Sequence, residues 1–342
     1  MKGNTLLLSR RTVARLATTA DYFESMRAAF AGLAAQRFEL PSVGHIPANG
    51  GAFHIKSAIR TGARPLVAIK VNGNFPGNAI HHGLPTIQGF IALLDAECGS
   101  VLALMDSMEI TARRTAATTA LAAKYLARPD SRTLGLVGCG TQARCHLAAL
   151  LDVFPIERVR FYDLRDEAAE SFARHQWKQN IQLSRVCDAP SCARGADIVV
   201  TTTTSTQPVL ALADVAPGTF VAGIGADNSS KHELAPDLLR ASRVVVDLLA
   251  QSSTMGDLHH AIRSGAMCST DIHGELADLI GGTIAGRTCS SERFVFDSTG
   301  IALQDLAAAE MIYERAQAQA DIQHWTNTDI GFELPTRPAG AS

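Results

Sequence analysis

The stretch that most constrains this chain runs from Arg132 to Asp163. Thr133-Leu134-Gly135-Leu136-Val137 is a short apolar run of the kind that forms a buried parallel strand, and it leads directly into Gly138-Cys139-Gly140-Thr141-Gln142-Ala143. That is a G-x-G-x-x-A turn. Gly138 allows the tight turn, Gly140 lets the backbone approach a pyrophosphate, and Ala143 lets the next helix pack closely on the strand. The helix predicted from Gln142 to Asp152 presents unpaired N–H groups and the positive end of its dipole to phosphates. Gly138, Gly140, Thr141 and Gln142 are therefore the expected phosphate contacts. A second predicted strand, Arg158 to Tyr162, ends at Asp163, where a carboxylate suits the adenosine ribose hydroxyls. Glycines alone signal little. Between two strands, with an acid roughly 20–25 residues on, they predict a dinucleotide-binding fold.

Downstream, strands are expected near Ile181 to Val186, Asp197 to Thr202, Thr219 to Gly225, Arg243 to Asp247 and Arg293 to Phe296, with helical stretches between them. Such alternation is the signature of a doubly wound parallel sheet. Upstream the pattern differs. Helical patterning over Thr12 to Gln36 gives way to short strands broken by Gly, Pro and Asn: Gly51 to Ala58, Leu66 to Asn72, Ile87 to Asp95 and Val101 to Met105, the last two joined by a turn at Cys98-Gly99-Ser100. An alanine-rich helix, Glu109 to Leu126, links the halves, and a helical tail from Ile301 to Ala320 returns to the first domain. The expected class is α/β: a Rossmann-type doubly wound parallel sheet over 113–303, plus an N-terminal α+β substrate-binding and dimerisation domain made of 1–112 with 304–342.

Composition removes other classes. The 342 residues carry 31 Lys and Arg against 33 Asp and Glu, a formal net charge of −2, so no basic surface argues for nucleic acid or an anionic membrane. The longest apolar runs fall short of the roughly 18 residues a spanning helix needs, and the N-terminal leucines are too few for a signal-peptide core. A cytoplasmic location is expected. Seven scattered cysteines without a C-x-x-C pair read as free thiols, with Cys139 simply a small residue in its turn. The adjacent pairs His81-His82 and His259-His260 lack metal spacing, so no metal is expected.

In a doubly wound sheet, ligands lie beyond the carboxyl ends of the strands. Thr202 and Thr203 follow the fourth strand of the sheet, Gly225 and Asp227 the fifth, and Ser298 the last. The threonines serve as strand-end residues or as contacts to the cofactor's ribose or nicotinamide, and Ser298 either closes over the nicotinamide or belongs to a plain turn. Asp227, presented after two glycines, reads as a site carboxylate more readily than as a helix cap. Lys70 interrupts an apolar strand, where it must snorkel to an exposed face or be held for a ligand, since an unpaired buried ammonium is costly. Arg114 lies on the alanine-rich helix, and its guanidinium fork suits a carboxylate. Together these suggest an amino-acid-like substrate. His45 and Lys56 are weaker candidates for its pocket.

Lys70-Val71-Asn72-Gly73, His82-Gly83-Leu84-Pro85-Thr86, Leu104-Met105-Asp106, Arg114-Thr115-Ala116-Ala117, the glycine turn, and Phe296-Asp297-Ser298-Thr299-Gly300 resemble the ornithine cyclodeaminase and mu-crystallin family over nearly the whole chain. The resemblance implies a homodimer built on the N-terminal β domain and C-terminal helix. It implies Lys70 and Arg114 as cations for the substrate carboxylate and catalysis, Asp227 as the catalytic acid, and a place for Thr86 in the substrate pocket. The early segment Pro41-Ser42-Val43-Gly44-His45 lacks the arginine common in cyclodeaminases. Asn72 to Asn78 and Gly83 to Gly89 are more similar to bacterial cyclic-imine reductases, which implies reduction of Δ1-pyrroline-2-carboxylate to L-proline. Ornithine cyclodeamination, alanine dehydrogenase-like activity and non-enzymatic ligand binding stay open. Asp163 favours NAD(H), because a carboxylate repels a 2′-phosphate, while Arg165 pulls toward NADP(H).

Overall fold

A computed structural model describes residues 4–40, 43–62, 64–175, 177, 181–319 and 324–326. They divide into two compact units: the described residues of 1–21, 36–111 and 302–342 form the first, and 22–35 with 112–301 the second. The helix Thr19–Ala34 departs from the sequence-based division. From Tyr22 onward it belongs to the second unit, where Arg113 and Lys124 lie over the rings of Tyr22 and Phe23 at 6.0 and 5.4 Å.

The first unit is a mixed sheet under a helix. Its strands are β1 (Asn4–Leu8), β2 (Phe38–Glu39), β3 (Gly44–Ala48), β4 (Gly51–Arg60), β5 (Leu66–Asn74), β6 (Ile87–Asp95) and β7 (Val101–Asp106). Their spatial order is β1-β7-β6-β5-β4-β2, with β3 also on β4 and a strand His324–Thr326 outside β1. Only the β1–β7 pair is parallel. The two-residue period of a strand puts Leu66, Ala68 and Lys70 on one face of β5, beside Ile91 and Leu93 of β6 and Ala103 and Met105 of β7, all buried. The helix Ala302–Gln317 covers that face of β4, β5 and β6. Leu303, Leu306 and Ile312 are fully buried on it, each stabilising by about 1.5–3 kcal/mol. The other face is open, with Ile46, Phe53 and Phe90 at 51%, 39% and 46% exposure.

The second unit carries β8 (Thr133–Val137), β9 (Arg158–Tyr162), β10 (Gln182–Arg185), β11 (Ile198–Thr201), β12 (Phe220–Gly223), β13 (Arg243–Val246), β14 (Gly274–Glu275) and β15 (Phe294–Asp297). Every pairing is parallel, in the order β10-β9-β8-β11-β12-β15-β13-β14. This is the expected doubly wound sheet, with the last long strand inserted between β12 and β13 and the short β14 added at the edge. All five residues of β8 are buried, as a central parallel strand requires. Strand order reverses between β8 and β11, which opens a crevice beyond their carboxyl ends. No helix among the described residues is long and apolar enough to cross a membrane.

Candidate functional site

The glycine turn sits at that reversal. Gly138 has φ +93°, and its N–H donates to Tyr162 O at 2.8 Å. A Cβ there would meet Thr202 O at 2.9 Å, so the position admits glycine on both conformational and steric grounds. Gly140 differs. Its φ is −77°, and a Cβ added to it would meet nothing within 4 Å, which leaves the backbone open to an incoming group. The helix Thr141–Leu151 begins there, with Thr141 exposed at its start. Buried His146 braces this helix start: Nδ1 donates to Gln142 O at 2.8 Å, and Thr119 Oγ1 lies 3.0 Å from Nε2. Burial pulls this imidazole down to about 4, so it is neutral at physiological pH.

Asp163 closes the other side of the turn. Its Oδ2 accepts from Cys139 N at 2.8 Å and its Oδ1 from Arg165 N at 2.9 Å. The Arg165 side chain is 74% exposed, with Nε 3.7 Å from the same carboxylate. Burial, with Asp163 nearby, pushes the Cys139 thiol up to about 12, which makes it an inert small residue. An open glycine, a helix N-terminus and a carboxylate at the end of the second strand fit the phosphates and ribose of a dinucleotide.

Behind the turn lies a chain of four fully buried carboxylates at the carboxyl ends of the strands. Of these, only Asp297 lies within a family motif; Glu233 and Asp257 carry no local sequence signal of a site. Glu233 accepts from Thr203 N at 2.5 Å, Gly225 N at 2.6 Å and Thr201 Oγ1 at 2.7 Å, tying the ends of β11 and β12 together. Asp257 accepts from the amides of Glu233 and Leu234, and Asp297 from those of Asp257 and Leu258. Asp247 accepts from Ser298 Oγ, Thr299 Oγ1 and Gly300 N. Burial raises the affinity of Glu233 for its proton, and it raises Asp257 well above the carboxylate range, with Asp297 adding to the effect. Asp297 is pushed up to about 7, chiefly by burial.

These contacts place several expected site residues. Thr203 and Gly225 are held through their amides by Glu233, and Thr202 packs over the glycine turn with Oγ1 3.3 Å from Gly138 O. The Ser298 hydroxyl is engaged by Asp247 and braces the turn that ends at Gly300. That turn receives Arg114, which is 4% exposed; a Cβ on Gly300 would lie 2.9 Å from its Nη1. Asp227 stands on the loop after β12, its side chain 49% exposed and its Oδ1 2.7 Å from Lys231 Nζ.

In the first unit Lys70 is 4% exposed on the covered face of β5, and its Nζ lies 2.5 Å from Asp305 Oδ2 on the helix Ala302–Gln317. The lysine is thus held and does not snorkel. Lys56 is the register partner of Lys70 on β4. His45 stands exposed opposite His54, the two rings 4.9 Å apart. Thr86 is exposed before β6, its carbonyl accepting from Phe75 N at 2.8 Å. Pro41 and Ser42 lie outside the described residues. Two signals were available for what was missed: Asp247 and Asp297 occupy strand ends, where Asp227 was sought, and Asp305 is an acid in an apolar helix, the mirror of Lys70.

A two-unit protein with a doubly wound dinucleotide fold and a cation held under a second sheet defines a class of nucleotide-dependent enzymes. The sequence model of the Ornithine cyclodeaminase/mu-crystallin family matches residues 4–320, and the chain belongs to that family. It is 36% identical over 312 residues to an alanine dehydrogenase of Archaeoglobus fulgidus, covering 91% of this chain and 95% of the relative. An archaeal alanine dehydrogenase dimer with bound NAD superposes with a TM-score of 0.89 at 34% identity, covering 94% of this chain and 98% of that one. The Δ1-pyrroline-2-carboxylate reductase of Thermococcus litoralis, in complex with NADH and L-proline, gives 0.88 at 30% identity over 93% and 99% of the two chains.

Proposed function

We propose that this protein is an NAD(P)H-dependent imine reductase whose substrate is a cyclic imino acid, with Δ1-pyrroline-2-carboxylate reduced to L-proline as the favoured reaction. The observation that carries the reading is the dinucleotide turn of the second unit, where Gly140 leaves the backbone open at a helix start and Asp163 stands at the end of the next strand. The likeness to the Thermococcus litoralis reductase over nearly the full length of both chains supports the substrate class.

When bound, the reduced nicotinamide supplies a hydride for the imine carbon. Gly140 and the start of the helix Thr141–Leu151 hold the phosphates, and Asp163 holds the ribose, with NAD(H) favoured over NADP(H) by its negative charge. Lys70 and Arg114 bind the substrate carboxylate. Asp227 gives the imine nitrogen the proton that makes the imine carbon electrophilic and that balances the hydride in the product amine. Ser298 acts at one remove, by shaping the turn beside Arg114. The open apolar face at Ile46, Phe53 and Phe90 supports association into a homodimer, because such a patch is costly to leave in water.

The similarity to alanine dehydrogenases favours a second reading, reductive amination of an oxo acid. Loss of NADH and NADPH absorbance is followed with Δ1-pyrroline-2-carboxylate and with pyruvate plus ammonia, alongside ammonia release from ornithine. Rapid reduction of the cyclic imine without added ammonia is expected. Turnover only with pyruvate and ammonia selects the second reading, and ammonia release from ornithine selects a cyclodeaminase.

A further inference from the structure

The loop that carries Asp227 is folded upon itself. Asn228 Oδ1 accepts from Ser230 N, Ser230 Oγ and Lys231 N at 2.9, 2.8 and 3.1 Å, which turns the chain so that the Lys231 side chain runs back to Asp227. Its Nζ reaches Asp227 Oδ1 at 2.7 Å. The lysine side chain is the more shielded partner, at 15% exposure against 49% for the aspartate. Neighbouring groups fix it there: His260 Nε2 donates to Lys231 O at 2.9 Å, and His232 N donates to Ser205 O at 2.8 Å. The imidazoles of His232 and His260 stack at 4.0 Å with nearly parallel planes. A well-shielded ammonium, held by its own backbone against an exposed carboxylate, is an arrangement in which the lysine orders the acid.

We propose that Lys231 is the positioning residue for Asp227, fixing the direction of its carboxylate and favouring its ionised form between turnovers. The inference rests on the reading of Asp227 as the proton donor. A cation in hydrogen-bond contact stabilises a carboxylate, so the acid loses its proton at lower pH than it otherwise would and must be re-protonated in each cycle. The ionisable groups whose contacts brace the loop include His232 and Glu233 on the loop itself and His259 and His260 on the helix Asp257–Arg263. His232 and His260 donate to the carbonyls of Leu234 and Lys231, His259 Nδ1 to that of Ser253, and Glu233 accepts from the amides of Thr203 and Gly225.

The test compares Lys231→Met, Lys231→Gln and Lys231→Arg in the full-length protein. Infrared difference spectra against the matching Asp227→Asn proteins isolate the titration of the Asp227 carboxyl and need no substrate. In the two neutral variants that titration is expected to move up by about half a pH unit, while the arginine variant stays near wild type. With the cyclic imine, kcat is expected to fall at least about tenfold in the neutral variants, because the carboxyl is no longer aimed, with the KM for NADH within about twofold, and the alkaline limb of the pH profile, where a proton donor is lost, moves up with the infrared titration. An unshifted titration in both neutral variants overturns the proposal even if the imine is reduced. Failure of wild type to reduce any imine overturns the functional reading, and with it the role of Asp227, whatever the spectra show.

Discussion

In the first unit a buried ammonium meets a buried carboxylate, Lys70 with Asp305, across a strand and a helix that are distant in the chain. In the second unit four buried carboxylates, Glu233, Asp247, Asp257 and Asp297, meet backbone amides and hydroxyls at the carboxyl ends of parallel strands. The two solutions differ in what they depend upon. An ion pair depends on both members, because removing one leaves the other charged and desolvated. An acid served by amides draws on donors that the strand ends leave unpaired anyway, and it can stay protonated when burial favours that form. The first arrangement joins a strand to a helix through opposite charges. The second holds backbone in place.

The largest expected effect follows from the ion pair. Lys70→Met should destabilise the protein by about 3–5 kcal/mol, read as a lower urea midpoint, because the buried Asp305 carboxylate loses the cation in contact with it. Adding Asp305→Leu should recover most of that stability without restoring reduction of the cyclic imine. If the double variant is as unstable as the single one, the contrast drawn between the units fails, since the cost then lies in packing and not in the charge left behind.

That contrast also explains what could be read from the chain beforehand. The glycine turn, the flanking strands and Asp163 lie within a stretch whose spacing is dictated by local geometry, so sequence exposes them directly. Lys70 was visible as a charge in an apolar strand. Its partner was not, because which acid reaches a given lysine depends on how the helix Ala302–Gln317 lies across the sheet. Glu233 was hidden for a related reason: it sits in an irregular loop, and its importance comes from the three donors it gathers from β11 and β12. The assignment of the helix Thr19–Ala34 went astray on the same ground, since its neighbours in sequence are not its neighbours in packing.

The amide-served acids should respond more gently and with a distinctive pH dependence. Glu233→Ala leaves Thr201 Oγ1, Thr203 N and Gly225 N to find other acceptors, and a loss of about 1–3 kcal/mol is expected, with weaker NADH binding by calorimetry. Asp297 carries the pH signature. Its folded-state value of about 7 lies above the unfolded value of roughly 3.9, so the folded form binds the extra proton between them. Its contribution is therefore fully present below about pH 4 and is lost as pH rises through 7. Relative to wild type, Asp297→Asn should flatten the fall in unfolding free energy between pH 5 and 8. An unchanged slope would show that the group is ionised throughout.

The smallest effect on stability separates the two glycines of the turn. Gly138→Ala forces a Cβ onto a backbone with φ +93° and against Thr202 O, and should cost about 1 kcal/mol or more. Gly140→Ala meets open space at an ordinary φ, so its stability should stay within about 0.5 kcal/mol of wild type. Nucleotide affinity should rank them differently, because the methyl at Gly140 occupies the approach expected for the pyrophosphate. Isothermal titration with NADH is expected to show at least a tenfold loss for Gly140→Ala despite its near-native urea midpoint. If Gly140→Ala binds NADH as well as wild type, the phosphates do not approach there, and the division between residues that hold the fold and residues that face the ligand must be redrawn within this turn.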